Sequence, residues 1–243
     1  MFRSRRPRYQ AVVESVVRIA PRMARITLGG PGMAAFRCDE PTQWVKLFVT
    51  DPADGSSVGR AYTIRRYIPE RPAVVIDIVL HGNGPAARWA EAAVPGQEVS
   101  FGGPRGSFSA DARADFYLLA GDESAQPAVL TIAESLPPGV RALAYLEVEG
   151  PQAEMDVASP ADLDVVWVHR AVGQPKGRAL SEALRSASTP PGRGVAWAAG
   201  ESISIRDIRR HLHDHLGMGR NEAYAKGYWK LDEADHRDPD ASD

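Results

Sequence analysis

The sequence changes its pattern near residue 112, and this change limits the folds open to the chain. Residues 9–112 contain short runs rich in Val, Ile, Thr and aromatic residues, separated by turns with Gly and Pro. Six such runs predict a small antiparallel six-stranded β-barrel. A helix-like interruption at 85–93 begins with proline, which suits a first helical turn. The strands are predicted at 12–19, 24–28, 44–49, 61–65, 74–80 and 98–101.

From residue 114 onward, apolar runs alternate with helical patterns. The run 116–120 is apolar throughout, which is typical of a strand buried on both faces. Such alternation predicts a parallel α/β sheet of the nucleotide-binding type, with helices on its faces. We therefore predict two domains, 1–112 and 113–243, with an acidic tail from about residue 232. The other strands are predicted at 143–148, 165–168, 195–199 and 223–228, and the helices at 124–135, 178–185 and 204–216.

Composition argues against several classes of function. The 243-residue chain has a net charge of −2, so no overall field favours nucleic acid or an anionic membrane. No run approaches the roughly 18 apolar residues of a spanning helix, and no signal peptide is visible. Cys38 is the only cysteine, so no internal disulfide can form. We expect a cytoplasmic monomer whose two ends, 1–8 and 232–243, are solvated.

The segment 60–65 places an arginine, an aromatic ring and a hydroxyl on one extended stretch. Alternation along a strand predicts that Arg60 and Tyr62 share one face, and that Thr63 and Arg65 share the other. An arginine suits a pyrophosphate and a tyrosine ring suits a flat heterocycle, so the set fits a flavin nucleotide. A surface strand with solvated arginines fits the same residues.

Three glycine-containing turns are candidate nucleotide sites. The turn 81–86 leads into the helix predicted at 85–93, and the unpaired N–H groups of a helix start attract phosphate. The turns 121–124 and 200–201 follow buried strands, at the sheet edge where ligands bind in open α/β folds. None of the three is a G-x-G-x-x-G or a P-loop, and each also fits a plain turn. Past the last predicted strand, Tyr228, Trp229 and Lys230 can flank a reaction site, or Trp229 can cap the core.

In their joint order and spacing, these pieces resemble the siderophore-interacting protein family of FAD-dependent ferric-siderophore reductases. The resemblance spans roughly residues 8–230. It is carried by Arg60-Ala61-Tyr62-Thr63-Ile64-Arg65, by His81 with Gly84-Pro85-Ala86 and Trp89-Ala90, by 120–128, by Trp167-Val168-His169-Arg170, by Ala199-Gly200-Glu201 and by Gly227-Tyr228-Trp229.

The resemblance implies a ferredoxin-reductase-like fold with FAD on the barrel and a nicotinamide nucleotide on the sheet. The implied FAD contacts are Arg60, Tyr62, Thr63, Arg65, Asp77, Val79, His81, Gly84, Pro85 and Ala86. The implied NAD(P)H contacts are Gly121, Asp122, Glu123, Ser124, Arg170, Gly200 and Glu201. Basic candidates for contact with an anionic ferric siderophore are Lys46, Arg66 and Lys230.

Two positions depart from the family pattern. Ala87 stands where the family commonly has a small hydroxyl residue, so one hydrogen bond to the pyrophosphate is missing. After Trp229 the chain turns acidic within a few residues, where the family often continues with basic residues and a glycine. The first departure affects FAD retention, and the second affects the siderophore pocket.

The choice between NADH and NADPH depends on the residues after the second and third strands of the α/β domain. Glu147 or Glu149 can bind a ribose diol and favour NADH. Arg170 and Arg141 can instead receive a 2′-phosphate, and the short C-terminus resembles the family branch that uses NADPH. The sequence therefore favours NADPH, and Arg170→Ala is expected to raise the KM for NADPH more than for NADH.

The predicted activity needs no catalytic side chain and no protein-bound metal, because the flavin carries the chemistry. His211, His213 and His215 recur at every second position, which predicts imidazoles spread around a helix. Two alternatives stay open: a flavin reductase that serves a ferredoxin, flavodoxin or quinone, and a siderophore-binding protein without enzymatic activity.

Overall fold

A computed structural model describes residues 7–81, 84–236 and 238 of the chain. The chain forms two compact units that divide between Phe108 and Ser109. The sequence pattern predicts a boundary between residues 112 and 113. The loop that joins the units contains no strand or helix pattern that would locate the boundary more closely.

The first unit is a closed barrel of six strands in the order β1-β2-β5-β4-β3-β6, with every neighbouring pair antiparallel. This confirms the predicted antiparallel barrel. Its elements are β1 (Arg8–Ala20), β2 (Met23–Gly29), β3 (Trp44–Thr50), β4 (Ser57–Ile68), β5 (Ala73–Val79), helix α1 (Pro85–Ala92) and β6 (Glu98–Arg105).

The interior of the barrel is filled by buried side chains that come from every second residue of a strand. On β3, Val45, Leu47 and Val49 are buried while the residues between them are more exposed. Phe36 and Phe101 meet edge to face in the core, with ring centroids 5.4 Å apart. Strand β1 begins earlier than predicted, since Arg8 pairs with Gly102 and its guanidinium lies 4.1 Å from the Phe48 ring centroid. Arg8 therefore belongs to the barrel wall and is not part of a solvated end.

The second unit is a five-stranded sheet in the order β11-β10-β7-β8-β9, parallel throughout. This confirms the predicted nucleotide-binding type of fold. Its elements are β7 (Phe116–Gly121), α2 (Gln126–Ser135), β8 (Arg141–Val148), β9 (Asp162–His169), α3 (Arg178–Arg185), β10 (Gly194–Glu201), α4 (Ser202–Asp214) and β11 (Ala223–Trp229).

The strand order fixes where a ligand can approach the sheet. The chain runs outward from β7 through β8 to β9, and then returns to add β10 and β11 on the other side of β7. The topological switch point therefore lies between β7 and β10, and ligands of such folds bind outside the carboxyl ends of these strands. Both strands are buried along their whole length, which explains their continuous apolar sequence.

Residues 232–235 are exposed, as the prediction of a solvated end requires, but His236 and Asp238 further along the acidic tail are anchored. The His236 Nε2 atom lies 3.1 Å from the Ser202 Oγ atom. The Gly227 amide donates to the Asp238 carboxylate over 2.6 Å. The tail thus returns to the end of β11 and the start of α4, through contacts that the local composition does not reveal. Residues 1–6, 237 and 239–243, on which the rest of that prediction fell, lie outside the described residues.

Candidate functional site

Strand β4 holds the first candidate residues of the barrel. Arg60 lies opposite Leu47 and Tyr62 lies opposite Val45, so alternation gives Arg60 and Tyr62 a common face. The Tyr62 ring packs against the barrel core, and burial raises the pKa of its hydroxyl, which keeps the phenol neutral. One guanidinium nitrogen of Arg60 donates to the Gly59 carbonyl over 3.0 Å. Strand β4 therefore places a packed aromatic ring beside an arginine in the candidate site of the barrel.

The predicted common face of Thr63 and Arg65 is interrupted by a β-bulge. Ile64 pairs with Ile76, but the next pair joins Arg66 to Val75, so Arg65 has no residue opposite it. Beyond the bulge, Tyr67 returns to the core side and its hydroxyl donates to the Phe36 carbonyl over 2.8 Å. The strict alternation assumed from the sequence is therefore wrong after Ile64.

Helix α1 begins close to an exposed imidazole. An ideal Cβ built on Gly84 would lie 2.8 Å from the Cε1 atom of His81, so only glycine fits this position without a shift. Pro85 occupies the first turn, and among the described residues no side chain caps the helix. The amides of Ala86 and Ala87 are therefore suited to a phosphate, as the FAD prediction requires. Gly82 and Asn83 of the same turn lie outside the described residues.

A partly buried ion pair anchors helix α1 to the rest of the barrel. Arg88 on the helix donates through Nε to Asp51 over 3.0 Å, and through Nη2 to the second carboxylate oxygen. The hydrogen bonds from Arg88 and from the Ala53 amide lower the pKa of Asp51. Helix α1 also packs against β3 and β4, and β4 is the strand that carries Arg60 and Tyr62.

Two of the predicted FAD contacts lie on β5, and one of them is engaged within the protein. Arg25 donates two hydrogen bonds to Asp77, at 2.7 and 2.8 Å. The Asp77 side chain is fully buried by this pair. This arrangement does not support an adenine or ribose contact for Asp77, whereas Val79 at the end of the strand is half-buried.

Asp122 is the hub of the carboxyl edge of the sheet. Its carboxylate accepts hydrogen bonds from the amide and hydroxyl of Ser124, from the Glu201 amide and from the Trp229 indole N–H, at 2.5–2.9 Å. Burial raises the pKa of Asp122, while the donors from Ser124 and Trp229 oppose that shift. The residue therefore ties together the ends of β7, β10 and β11. This self-contained network supports positioning of the edge more than direct contact with a ligand.

Gly200 makes the hub possible. Its φ of 151° is a conformation that other residues rarely adopt, and an ideal Cβ there would lie 2.7 Å from an oxygen of Asp122. The next residue, Glu201, caps helix α4 by accepting from the Ser204 amide over 2.9 Å. At Gly121, an ideal Cβ would lie 2.9 Å from the Cβ of Ala125, so glycine allows the start of α2 to approach β7.

Sequence reasoning left Gln126 out of the site. Its side chain is only 1% exposed, and neither its amide nitrogen nor its amide oxygen has a partner among the described residues. The Oε1 atom of Glu201 is also buried without a partner in the described part of the chain. An unsatisfied buried polar group costs about 1–3 kcal/mol, so these atoms fit an edge that receives a polar ligand. The signal in the sequence was a glutamine at the first position of a helix, directly before four apolar residues.

Arg170 lies within a cluster of carboxylates. It contacts Glu123 at 2.8 Å, Glu147 at 2.9 Å and Glu149 at 3.6 Å, and its side chain is 7% exposed. Burial alone would lower its pKa, but the hydrogen bonds that Arg170 donates to Glu123 and Glu147, together with the charges of these two acids, outweigh burial and raise it. Glu147 also accepts from the amides of Gly177 and Leu180, and so caps the start of α3. The arginine predicted to bind a phosphate is thus surrounded by acids.

Arg141 is not near this cluster. It is the first residue of β8, at the amino edge of the sheet, where it pairs with Asp162 and Asp164. The predicted role as a 2′-phosphate receptor is therefore wrong for Arg141, because ligands of such sheets bind at the opposite edge.

The three basic candidates for siderophore contact occupy different environments. Lys46 lies on β3 opposite Ala61 of β4, and its Cε atom would be 2.7 Å from a Cβ on Gly59. Arg66 is exposed beyond the bulge of β4. Lys230, just past β11, forms an ion pair with Glu233 at 2.7 Å. The first two belong to the barrel unit and the third to the sheet unit.

Metal and thiol chemistry find no support in the described residues. Within 7–81, 84–236 and 238, no three His, Cys, Asp or Glu side chains are grouped to hold a metal ion. Burial raises the pKa of Cys38 to about 12, so its thiol stays protonated. His211 and His215 stack with centroids 5.2 Å apart, which corrects the expectation that the three histidines spread around the helix. Positions four apart share a helix face, and only His213 points elsewhere, to the Met218 carbonyl.

None of the helices in the described parts of the chain combines the length and apolar composition that a bilayer crossing needs.

The chain belongs to the siderophore-interacting protein family. The sequence profile of the siderophore-interacting protein family matches residues 114–232, and that of the siderophore-interacting FAD-binding domain matches residues 12–58 and 49–108. The two matches fall on the sheet unit and the barrel unit respectively, and they confirm the resemblance found in the sequence.

Relatives in both sequence and structure agree with this assignment. The chain is 34% identical to an uncharacterized protein of Mycobacterium tuberculosis, with 93% of this chain and 91% of the relative covered. It is 29% identical to the ferric vibriobactin reductase ViuB of Vibrio cholerae, over 87% and 85% of the two chains. A siderophore utilization protein from T. fusca superposes with a TM-score of 0.88 at 32% identity, covering 96% of each chain.

The family and the fold together define the class of protein. The chain is an oxidoreductase whose barrel unit is an FAD-binding domain. The helix start at Gly84 and the Arg60–Tyr62 strand fit this cofactor, because they supply backbone amides, a guanidinium and an aromatic ring within one unit.

Proposed function

We propose that this protein is a ferric-siderophore reductase that uses NAD(P)H and FAD to reduce chelated Fe(III) to Fe(II). The observation that carries the proposal is that helix α1, whose start has no side-chain cap, packs against β4, the strand that carries Arg60 and Tyr62. The start of α1 with Arg60 and Tyr62 would hold FAD, which would supply the chemistry that couples a two-electron nicotinamide donor to the one-electron reduction of two ferric ions. The iron is substrate, and Fe(II) leaves because it fits hard oxygen ligands less well than Fe(III).

The residues of the chain would bind, orient and exclude water. Arg60 would neutralise phosphate charge, the amides at the start of α1 would donate to the pyrophosphate, and Tyr62 would lie against the isoalloxazine. Thr63, Arg65, Val79 and His81 are proposed as further contacts along the same cofactor. The edge around Asp122 and Gly200 would position the nicotinamide nucleotide, and Gln126 would supply an unsatisfied amide to it. Lys46, Arg66 and Lys230 are proposed to face the anionic chelate.

The decisive experiment is a reduction series under nitrogen. Purified protein loaded with FAD should be yellow, should bleach on addition of NADH or NADPH, and should regain colour when a ferric siderophore is added. A ferrous trap should report two Fe(II) for each reduced nucleotide consumed. Ferric hydroxamates and ferric catecholates should be tested separately, with the iron-free chelators as matched controls.

The same series separates the alternatives. Reoxidation by a ferredoxin, flavodoxin or quinone, with none by any ferric chelate, would assign the flavin reductase role. A protein that binds ferric siderophore but cannot be loaded with FAD would be a carrier without enzymatic activity. The relative named as a ferric vibriobactin reductase, at 29% identity, favours the chelate as the acceptor.

We further propose that the protein acts as a monomer in the cytoplasm. A single cysteine without a disulfide partner fits this reducing compartment, which also supplies pyridine nucleotides. Light scattering of the FAD-loaded chain tests the first statement, and cell fractionation tests the second.

A further inference from the structure

A second concave site lies between helices α3 and α4 of the sheet unit. A cavity of about 580 Å³ is lined there by Arg185, Asp207, Arg210, His211 and His215. Its volume falls within the range of about 300–1,000 Å³ that is usual for small-molecule sites. Each of these residues carries a charge or an imidazole, so the cavity suits a polar ligand.

The cavity is separate from the candidate nucleotide site at the carboxyl edge of the sheet. Helix α4 starts on that edge at Ser202, spans 13 residues and is followed by His215. At about 1.5 Å per residue, the two ends of the helix are roughly 20 Å apart. Arg185 is likewise the last residue of α3, whose start is capped by Glu147 at the same edge. A ligand in this cavity would therefore be distinct from a nucleotide bound at the edge.

The cations that line the cavity outnumber the acid that faces them. Asp207 is shared by two arginines, at 3.6 Å from Arg185 and 3.7 Å from Arg210, and both distances exceed hydrogen-bonding length. Arg185 also donates to the Ser181 hydroxyl over 2.9 Å. Within the described residues, neither guanidinium donates a hydrogen bond to a carboxylate. Two guanidiniums against one carboxylate leave the cavity positive, and both retain N–H groups that can bind an anion.

Neighbouring acids of the two helices are placed outside the cavity. Glu182, three residues before Arg185, pairs with Arg178 on its own helix at 2.8 Å. Asp214, next to His215, is exposed and does not belong to the described residues that line the cavity. Asp207 is therefore the acid that opposes the arginines there.

The end of helix α4 does not need these basic side chains as caps. The His211 carbonyl accepts hydrogen bonds from the amides of His215 and Leu216, and the Leu212 carbonyl accepts from the Met218 amide. Carbonyls that are bonded in this way are not left for side chains to satisfy. Capping of the helix therefore does not explain the basic residues of the cavity.

His211 in the cavity wall has an incomplete environment. Its Nε2 atom is buried and has no hydrogen-bond partner in the part of the chain that the structure describes. Burial first, and then the positive charges of His215 and Arg185, lower the pKa of His211, so cationic groups crowd this ring. A buried polar atom without a partner marks a place where an ion or a water supplies one.

We propose that this cavity binds a dianionic phosphate group, either as free phosphate or as a phosphomonoester, with Arg185 and Arg210 as its cationic ligands. A planar guanidinium matches phosphate oxygens with pairs of N–H donors, and two of them balance a dianion. The volume of about 580 Å³ admits either form of the ligand. This site is additional to the proposed reductase activity and does not depend on it.

The test is calorimetric titration of the full chain, with and without FAD, using inorganic phosphate, ribose 5-phosphate and acetate at one pH and ionic strength. NMR of the histidine rings locates the ligand, because His211 and His215 line the cavity. Both phosphates are expected to shift these two rings and to bind more tightly than acetate, which carries a single charge. Tighter binding of ribose 5-phosphate would identify a phosphomonoester as the ligand, and tighter binding of inorganic phosphate would identify the free ion.

Variants with opposite expected effects test the assignment of the residues. Arg185→Gln and Arg210→Gln should each weaken phosphate binding about tenfold, as the loss of one charge-assisted hydrogen bond implies. Asp207→Asn should strengthen it several-fold, which a poorly folded variant would not do. Arg220→Gln removes an exposed arginine outside the cavity lining and should leave the affinity unchanged.

Three results would overturn the proposal. They are the absence of a shift in the two histidine rings at millimolar phosphate, equal affinity for acetate and phosphate, and an affinity that the arginine and aspartate variants leave unaltered. The reduction series with ferric chelates tests the proposed function separately. Failure of that series would leave this phosphate site standing, and an empty cavity would leave the reductase proposal standing.

Discussion

The barrel and the sheet build their candidate sites in different ways. In the barrel, Arg60 and Tyr62 lie on one strand, and the helix start that accompanies them is about twenty residues further on. At the sheet edge, Asp122, Arg170 and Trp229 come from different strand ends and are joined by buried hydrogen bonds and ion pairs. The comparison teaches that changes in the barrel site should act on flavin affinity, whereas changes at the sheet edge should act first on stability.

The largest effect expected from this comparison is that of Arg170→Ala. The change leaves Glu123 and Glu147 buried without their cation, and breaking such a pair typically costs about 3–5 kcal/mol. Urea unfolding of the FAD-loaded chain measures the loss. Arg178→Ala removes an arginine from an exposed pair with Glu182 and should cost at most about 0.5 kcal/mol. Similar costs for the two variants would contradict a structural role for the Arg170 cluster.

The second prediction concerns the barrel, where the change is expected in FAD affinity and not in the unfolding free energy. Arg60→Ala should weaken FAD binding by roughly 10- to 100-fold, because one charge-assisted hydrogen bond to a phosphate is lost. The unfolding free energy of the FAD-free chain should change little. Flavin fluorescence measures the binding, and Arg66→Ala on the exposed part of the same strand serves as the matched control. If Arg60→Ala destabilised the FAD-free chain and left FAD affinity intact, the contrast between the two regions would fail.

These two regions also differ in how far the sequence could predict them. Hydrophobic alternation and the continuous apolar runs of β7 and β10 were enough to predict the barrel, the parallel sheet and the order of their elements. The Arg60–Tyr62 face followed from the same alternation. The bulge at Arg65 could not be predicted, because one extra residue in a strand does not change the local composition.

Long-range partners at the sheet edge were beyond sequence reasoning. The contact between Asp122 and Trp229 joins residues 107 positions apart, and that between Arg170 and Glu123 joins residues 47 apart. A charged residue at a strand end can face a ligand or a neighbouring strand end, and the two cases have the same local sequence. Arg170 was therefore predicted as a phosphate receptor, although its own fold supplies the acids that surround it.

The third prediction tests the hub with a smaller change. Trp229→Phe keeps an aromatic ring but removes the indole donor to Asp122, and one such hydrogen bond contributes about 1 kcal/mol. This donor lowers the pKa of Asp122 against the effect of burial. The loss in unfolding free energy should thus be largest at alkaline pH, where the carboxylate is charged, and should shrink as the pH falls through the raised pKa of Asp122. Trp167→Phe on the edge strand β9 controls for the loss of an indole, and a pH-independent difference would remove Trp229 from the hub.

The last and smallest prediction asks whether the barrel has an ionic anchor of its own. Hydrogen bonds from Arg88 and Ala53 lower the pKa of Asp51, so this group stabilises the fold above its unfolded pKa of about 4. That contribution is lost as the pH falls below about 4, toward the lowered pKa of the folded state.

The unfolding free energies of the wild-type chain and of Asp51→Asn should therefore differ at pH 7 and converge on acidification below pH 4. Glu70→Gln, which removes an exposed carboxylate in the turn between β4 and β5, gives the reference for a single lost carboxylate. Because Arg88 lies on α1, Asp51→Asn should also loosen the helix start that is proposed to bind the pyrophosphate. A difference that persists unchanged below pH 4 would show that Asp51 acts through packing. Ion pairs would then contribute to stability at the sheet edge but not in the barrel.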